Sequence, residues 1–168
     1  MTRSDLQDAF DHHVWATVRL IDACLPLTEE QIASPVPGTF GSILETLRHI
    51  VGSDAWYLFV ISGERTPIID EDVMLIPELR EAMGRHRVEW SSILDEGRDP
   101  DSLIVAHRPE GTEGHAPLGI RVAQVLHHGT DHRSQICTGL TALAIEPPDI
   151  DVWVFGLEDG RVFDVTPS

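Results

Sequence analysis

Pro117-Leu-Gly-Ile-Arg121-Val-Ala-Gln-Val125-Leu-His-His128-Gly-Thr-Asp-His132-Arg-Ser-Gln-Ile136-Cys-Thr-Gly-Leu140 carries Leu118, Val122, Val125, His128, His132, Ile136 and Leu140 at spacings of three and four. Those spacings put all seven on one face of a helix, so the stretch predicts a helix over 117–140. Gly139 and the Pro147-Pro148 pair bracket its end. A stripe this narrow has to be covered by other helices. The same period recurs upstream in Leu79, Met83, His86, Trp90 and Ile93, which predicts a helix over 77–95. Ser42 and Glu45 form a capping box ahead of Ile43, Leu47, Ile50, Val51, Trp56, Leu58 and Ile61, giving a helix over 42–61 that Gly63 closes. Ser4 and Gln7 form another box ahead of Leu6, Phe10, His13, Thr17, Leu20 and Cys24, giving a helix over 4–25. Leu25-Pro26 ends it, because a proline disfavours helical geometry in the residue before it.

The segments between these helices read as connections: 31–41 with Pro35, Pro37, Gly38 and Gly41, a link containing Pro67 and Pro77, and a polar loop over 97–117. In the tail, Ile150, Trp153, Val154 and Leu157 fit a short helix capped by Asp149, against a strand-like alternation at Val152 and Val154. The helix is the expected form. The chain of 168 residues is long enough for one domain and short for two, so residues 1–168 are expected to form a single all-α helix-bundle domain with a short C-terminal extension.

A formal charge of −16 repels phosphate backbones and anionic lipid, which disfavours nucleic acid and membrane surfaces as partners. Apolar runs such as 55–61 fall far short of the roughly 20 residues that span a bilayer. The first residues lack the pattern of a secretory signal, so the cytoplasm is the expected location. Two widely separated cysteines, Cys24 and Cys137, support neither a disulfide framework nor a CxxC metal site and are read as core thiols.

Nine histidines are the remaining signal. His128 and His132 are four apart on one helix face, where two imidazoles can converge on one cation with metal to nitrogen distances of about 2.0–2.1 Å. Both interrupt an apolar stripe, where an imidazole needs a partner, and a hydrogen-bonded pair of core histidines is the competing reading. His127 is offset by about 100° and points elsewhere. His49, midway along the helix over 42–61, is the natural third ligand.

The segments Ser42-Ile-Leu-Glu-Thr-Leu-Arg-His49-Ile-Val-Gly-Ser-Asp-Ala-Trp56-Tyr-Leu, Leu126-His-His128-Gly-Thr-Asp-His132-Arg133-Ser-Gln135-Ile136 and His12-His13-Val-Trp15-Ala-Thr-Val-Arg-Leu closely resemble the DinB/YfiT-like family of metal-dependent proteins. The resemblance runs over about 4–160, and Ser134 stands where relatives often carry glycine. It implies an up-down-down-up four-helix bundle in which His49, His128 and His132 hold a divalent ion such as zinc, nickel or iron. It also implies a homodimer, and an activity that joins a small-molecule thiol to an electrophilic substrate.

Three neutral donors leave coordination positions open, the composition of catalytic rather than structural sites. A bound thiol would be ionised there. A hydrolase of a small substrate is the alternative, with Glu45, one turn before His49, as base; a non-catalytic metal-binding stress protein is another. A ligating imidazole must be neutral, so binding is expected to weaken as pH falls through about 6.5. His13 and His86 lie on apolar stripes and are read as hydrogen-bonded core groups, with a pocket-lining proton carrier as the other possibility. Arg133 and Gln135 are read as structural support, Trp15, Trp56 and Trp90 as core, and Asp70-Glu71-Asp72 as a solvated loop.

Overall fold

Ser4, Thr28 and Ser42 each accept the backbone N–H three residues on, and Gln7, Gln31 and Glu45 bond back to the three cap N–H groups. These reciprocal boxes start α1 (Asp5–Cys24), α2 (Glu29–Ala33) and α3 (Ile43–Ser62) in the computed structural model, which describes residues 4–63 and 69–165. The Thr28 box lies in a stretch where sequence periodicity gave no helix, since a single turn is too short to show a stripe. Gly63 ends α3 at φ +74°, the left-handed geometry glycine supplies without a steric penalty. The link that follows includes Pro67, which lies outside the described residues. α4 (Ile76–Asp95) has Pro77 in its first turn, α5 spans Leu118–Ala142 and α6 spans Val152–Glu158.

α1 packs against α4 and α5, and α3 packs against the same two, so the four long helices close into a ring. Leu20, Ile21, Leu47, Ile50, Leu58, Leu79, Met83, Trp90, Ile136 and Leu140 are buried inside it. Each such side chain contributes roughly 1.5–3 kcal/mol by leaving water. Among the described residues no helix is long and apolar enough to cross a membrane.

Three expectations about the elements change. The loop over 97–117 carries a hairpin of β1 (Leu103–His107) and β2 (Glu113–Pro117), antiparallel with Leu103 opposite Pro117 and His107 opposite Glu113. Its buried residues are only Ile104 and Ala106, too few for an alternation to stand out. Arg121 Nη2 donates to the carbonyls of Ile104 and Gly114 and fastens the hairpin to α5. Gly139 does not end α5 but lies buried within it, where a Cβ would come within 2.8 Å of Ile43 Cγ1; the glycine permits close approach to α3. The helix closes instead at Ala144, left-handed at φ +58°, with Ile145 N–H donating to Leu140 O. The tail is helical as expected, but Asp151 caps it by accepting from Trp153 N–H, while Asp149 accepts from Asp151 N–H.

Trp90 is core, whereas Trp56 is 43% exposed and Trp15 is half-buried with its indole N–H donating to Glu158. Cys24 is buried and Cys137 half-buried, and both are free thiols.

Candidate metal centre

α3 and α5 lie side by side, close enough at Gly139 for helix backbone to touch the Ile43 side chain, and this apposition brings His49 to the one-turn pair His128 and His132. His128 Nε2 is 3.1 Å from His49 Nε2 and 3.1 Å from His132 Nε2. Nitrogens about 2.05 Å from a shared ion stand about 2.9 Å apart in a facial octahedral set and about 3.35 Å apart in a tetrahedral one. The separations seen fall between. Among the described residues these three histidines form a group that could hold a metal ion.

Hydrogen bonding fixes which ring nitrogens are bare. The backbone N–H of Phe40 donates to Gln135 Oε1 at 2.8 Å, so that atom is the amide oxygen, and His132 Nδ1, 3.1 Å from the same oxygen, must carry a proton to bond it. His132 in its neutral form therefore has a bare Nε2. His49 Nδ1 is 3.2 Å from Glu71 Oε2, an acceptor only, and the same reasoning leaves His49 Nε2 bare. With the rings neutral, at most the Nε2 of His128 can hold a proton, and it cannot satisfy both neighbours with one. Lone pairs aimed at one point are an arrangement a cation can occupy, so the donor set fits a divalent ion.

Burial, then the neighbouring imidazoles His132 and His49, pull His128 down to about 4; burial also lowers His132. For these two ligands, burial disfavours the protonated ring that would compete with a metal. Burial likewise lowers His12 and His86. Groups with lowered folded values bind protons in the unfolded chain first, so their contribution to stability is present above about 6.5 and is lost as pH falls toward the folded values. The metal-free protein is expected to melt at progressively lower temperature from pH 7 to pH 5. A melting temperature that rises over that interval would contradict these environments.

Behind the three histidines lies a second cluster, fully buried. Asp54, on α3, has its carboxylate 3.1 and 3.2 Å from His13 Nε2 and accepts from the Trp90 indole N–H at 3.2 Å. His86 Nδ1 stands 3.9 Å from the same carboxylate. Burial opposes the charged form of Asp54, but His13, His86 and Trp90 outweigh it and hold the carboxyl below its usual range. Arg133 Nη1 donates to His13 Nδ1 at 2.8 Å, and its Nη2 donates to Thr130.

A model of the DinB family matches residues 1–158. The chain belongs to the DinB family. No curated protein matches it.

The DinB-family histidines named from sequence are thus brought together, and His127 is exposed away from them. His13 and His86 are core groups around Asp54; His13 is hydrogen-bonded as expected, whereas His86 Nδ1 has no hydrogen-bond partner among the described residues. Glu45 proves to be the cap partner of Ser42: its carboxylate accepts the Ser42 N–H at 2.7 Å, and that bond holds it below its ordinary range. Gln135 does more than support the helix, since it orients His132. Glu71 is not simply solvated; it reaches His49. Sequence reading missed Asp54 and Phe40. Asp54 had a legible signal, a lone carboxylate one turn after Ile50 on the apolar face of α3. Phe40, 52% exposed, stacks on His49 with centroids 4.2 Å apart and lies edge-on to His132, and nothing in its loop announces that.

Proposed function

We propose that this DinB-family protein is a divalent-metal-dependent enzyme in which His49, His128 and His132 hold zinc, nickel or iron. The observation that carries the reading is the convergence of three Nε2 atoms, of which two are bare by their hydrogen bonding. The reading takes the ring of four long helices as the family's up-down-down-up bundle. When bound, the ion supplies open coordination positions at which an exogenous thiol is ionised near neutral pH. The reaction proposed is transfer of that small-molecule thiol to an electrophilic carbon: the S–C bond forms as the leaving group departs with its electron pair, and the thiol proton goes to solvent.

The chain's own residues orient and desolvate. Gln135 and Glu71 turn two rings so that Nε2 faces inward, and Phe40 covers the face of His49. Thiol transfer is favoured over hydrolysis because the base that hydrolysis would use, Glu45, already accepts a backbone N–H and is a weakened proton acceptor.

Protein purified without a nickel column is expected to bind one divalent ion per chain, and alanine at each of His49, His128 and His132 to lower affinity at least tenfold. Elemental analysis and chelator competition measure both. The cobalt-substituted protein, titrated with cellular thiols, should develop a sulfur-to-metal charge-transfer band and then show metal-dependent conjugation to model electrophiles. Three variants that retain the ion as well as the parent would dismiss the ligand set. A loaded site that no thiol perturbs would leave the hydrolase or a non-catalytic metal-binding role.

A further inference from the structure

We propose that Glu71 is a positioning residue for metal binding: it holds His49 with Nε2 turned inward, through a notch in α3 that Gly52 keeps open. The inference rests on the metal reading above and concerns a residue that the sequence placed in a solvated loop.

His49 is less buried than His132. Its side chain is 24% exposed, and among the described residues its Nδ1 bonds only to Glu71. Phe40 stacks on its face, which limits tilt but not the choice of tautomer. A carboxylate on Nδ1 makes that choice: it requires a proton there, leaves Nε2 bare in the neutral ring, and raises the ring's strength as a donor.

Glu71 reaches this position because the helix surface beneath it is missing a side chain. Gly52 follows His49 by three residues and so lies on the same flank of α3. A Cβ there would stand 2.3 Å from Glu71 Oε1 and 2.9 Å from its Cδ. Glycine inside a helix is about 1 kcal/mol less favourable than alanine, so local propensity argues against it at this position. Docking of the carboxylate gives it a reason. The loop that carries Glu71 is anchored beside the histidine: Arg48 Nε donates to Met74 O at 2.8 Å, Met74 N–H donates to Asp70 O, and Asp72 N–H donates to Asp70 Oδ1.

The notch makes a double-mutant cycle possible. Glu71→Ala removes the acceptor; Gly52→Ala removes no polar group and only displaces the carboxylate, a flexible side-chain end, while improving helix propensity. Each is expected to weaken zinc affinity about 10- to 100-fold, the usual effect of losing a ligand's hydrogen-bonding partner, with Glu71→Gln intermediate. In the Glu71→Ala background, Gly52→Ala should change affinity less than twofold, because nothing remains to displace. Zinc competition against a chromophoric chelator reads affinity, and thermal melts of the metal-free variants confirm that the fold is retained. A parent that binds zinc, with Glu71→Ala and Gly52→Ala binding it equally well, overturns this assignment alone. Equal loss from Gly52→Ala in both backgrounds overturns the notch. A parent that takes up no divalent ion removes the metal reading and this inference with it.

Discussion

Replacing Asp54 by alanine is expected to destabilise the protein by about 3–5 kcal/mol, the range found when one partner of a buried ion pair is removed. The partner is Arg133, only 3% exposed, and it does not touch Asp54 through any hydrogen bond. The link runs through His13. Arginine can only donate, so His13 Nδ1 accepts from Arg133, and in the neutral ring the proton sits on Nε2, where it bonds Asp54. A neutral imidazole thus joins a buried cation to a buried anion, and α5 to α3 through α1. Alanine at 54 leaves the guanidinium uncompensated and the Trp90 indole N–H without its acceptor, which alone costs about 1–3 kcal/mol. For a chain of this size the melting temperature should fall on the order of 10 °C. An Asp54→Ala, Arg133→Met double variant should recover part of the loss, since the two charges vanish together. A single variant melting within about 2 °C of the parent would mean that Arg133 is compensated elsewhere.

What the sequence disclosed and what it concealed divide along one physical line. Helix periodicity and capping boxes are local, confined to a few turns, so the four long helices and two of three capping boxes could be read directly. The pair His128 and His132 is local for the same reason. His49 was nominated by its place midway along its helix and then by the family resemblance, because nothing within that helix says which other helix it faces. The Asp54 cluster joins groups 41 and 120 residues apart, and its members read singly as a core histidine, an acidic residue and a structural arginine. Glu71 was hidden by company, one of three acids in a row. The glycines were ambiguous in a telling way: Gly63 does cap a helix, whereas Gly52, Gly129 and Gly139 sit inside helices where propensity disfavours them. Each of those three leaves room for a side chain from elsewhere, and only the packed structure says which.

Gly129 is hemmed in by side chains that cannot swing aside, unlike the Glu71 carboxylate over Gly52, and Gly129→Ala is the second large effect expected. A Cβ at this position would stand 2.4 Å from His13 Cε1, 2.7 Å from His13 Nδ1 and 2.9 Å from Arg133 Nη1. Helix propensity alone predicts a gain of about 1 kcal/mol from this change, so the sign of the result decides between local and tertiary control. Neither neighbour can move cheaply: His13 is fully buried and held at both ring nitrogens, and Arg133 is held by His13, Thr17 and Thr130. The methyl group can be accommodated only if α5 shifts away from α1 or the Arg133–His13–Asp54 chain breaks. Overpacking of this kind costs about 1–3 kcal/mol, and loss of the buried link adds to it, so a net loss of about 2 kcal/mol or more is expected in thermal or urea unfolding. Because Gly129 adjoins His128, a shift of α5 also carries His128 and His132 relative to His49, and zinc affinity should fall in the same variant. If Gly129→Ala melts higher than the parent, the contact between α1 and α5 is looser than the distances require, and the buried network does not set the position of the metal-bearing helix.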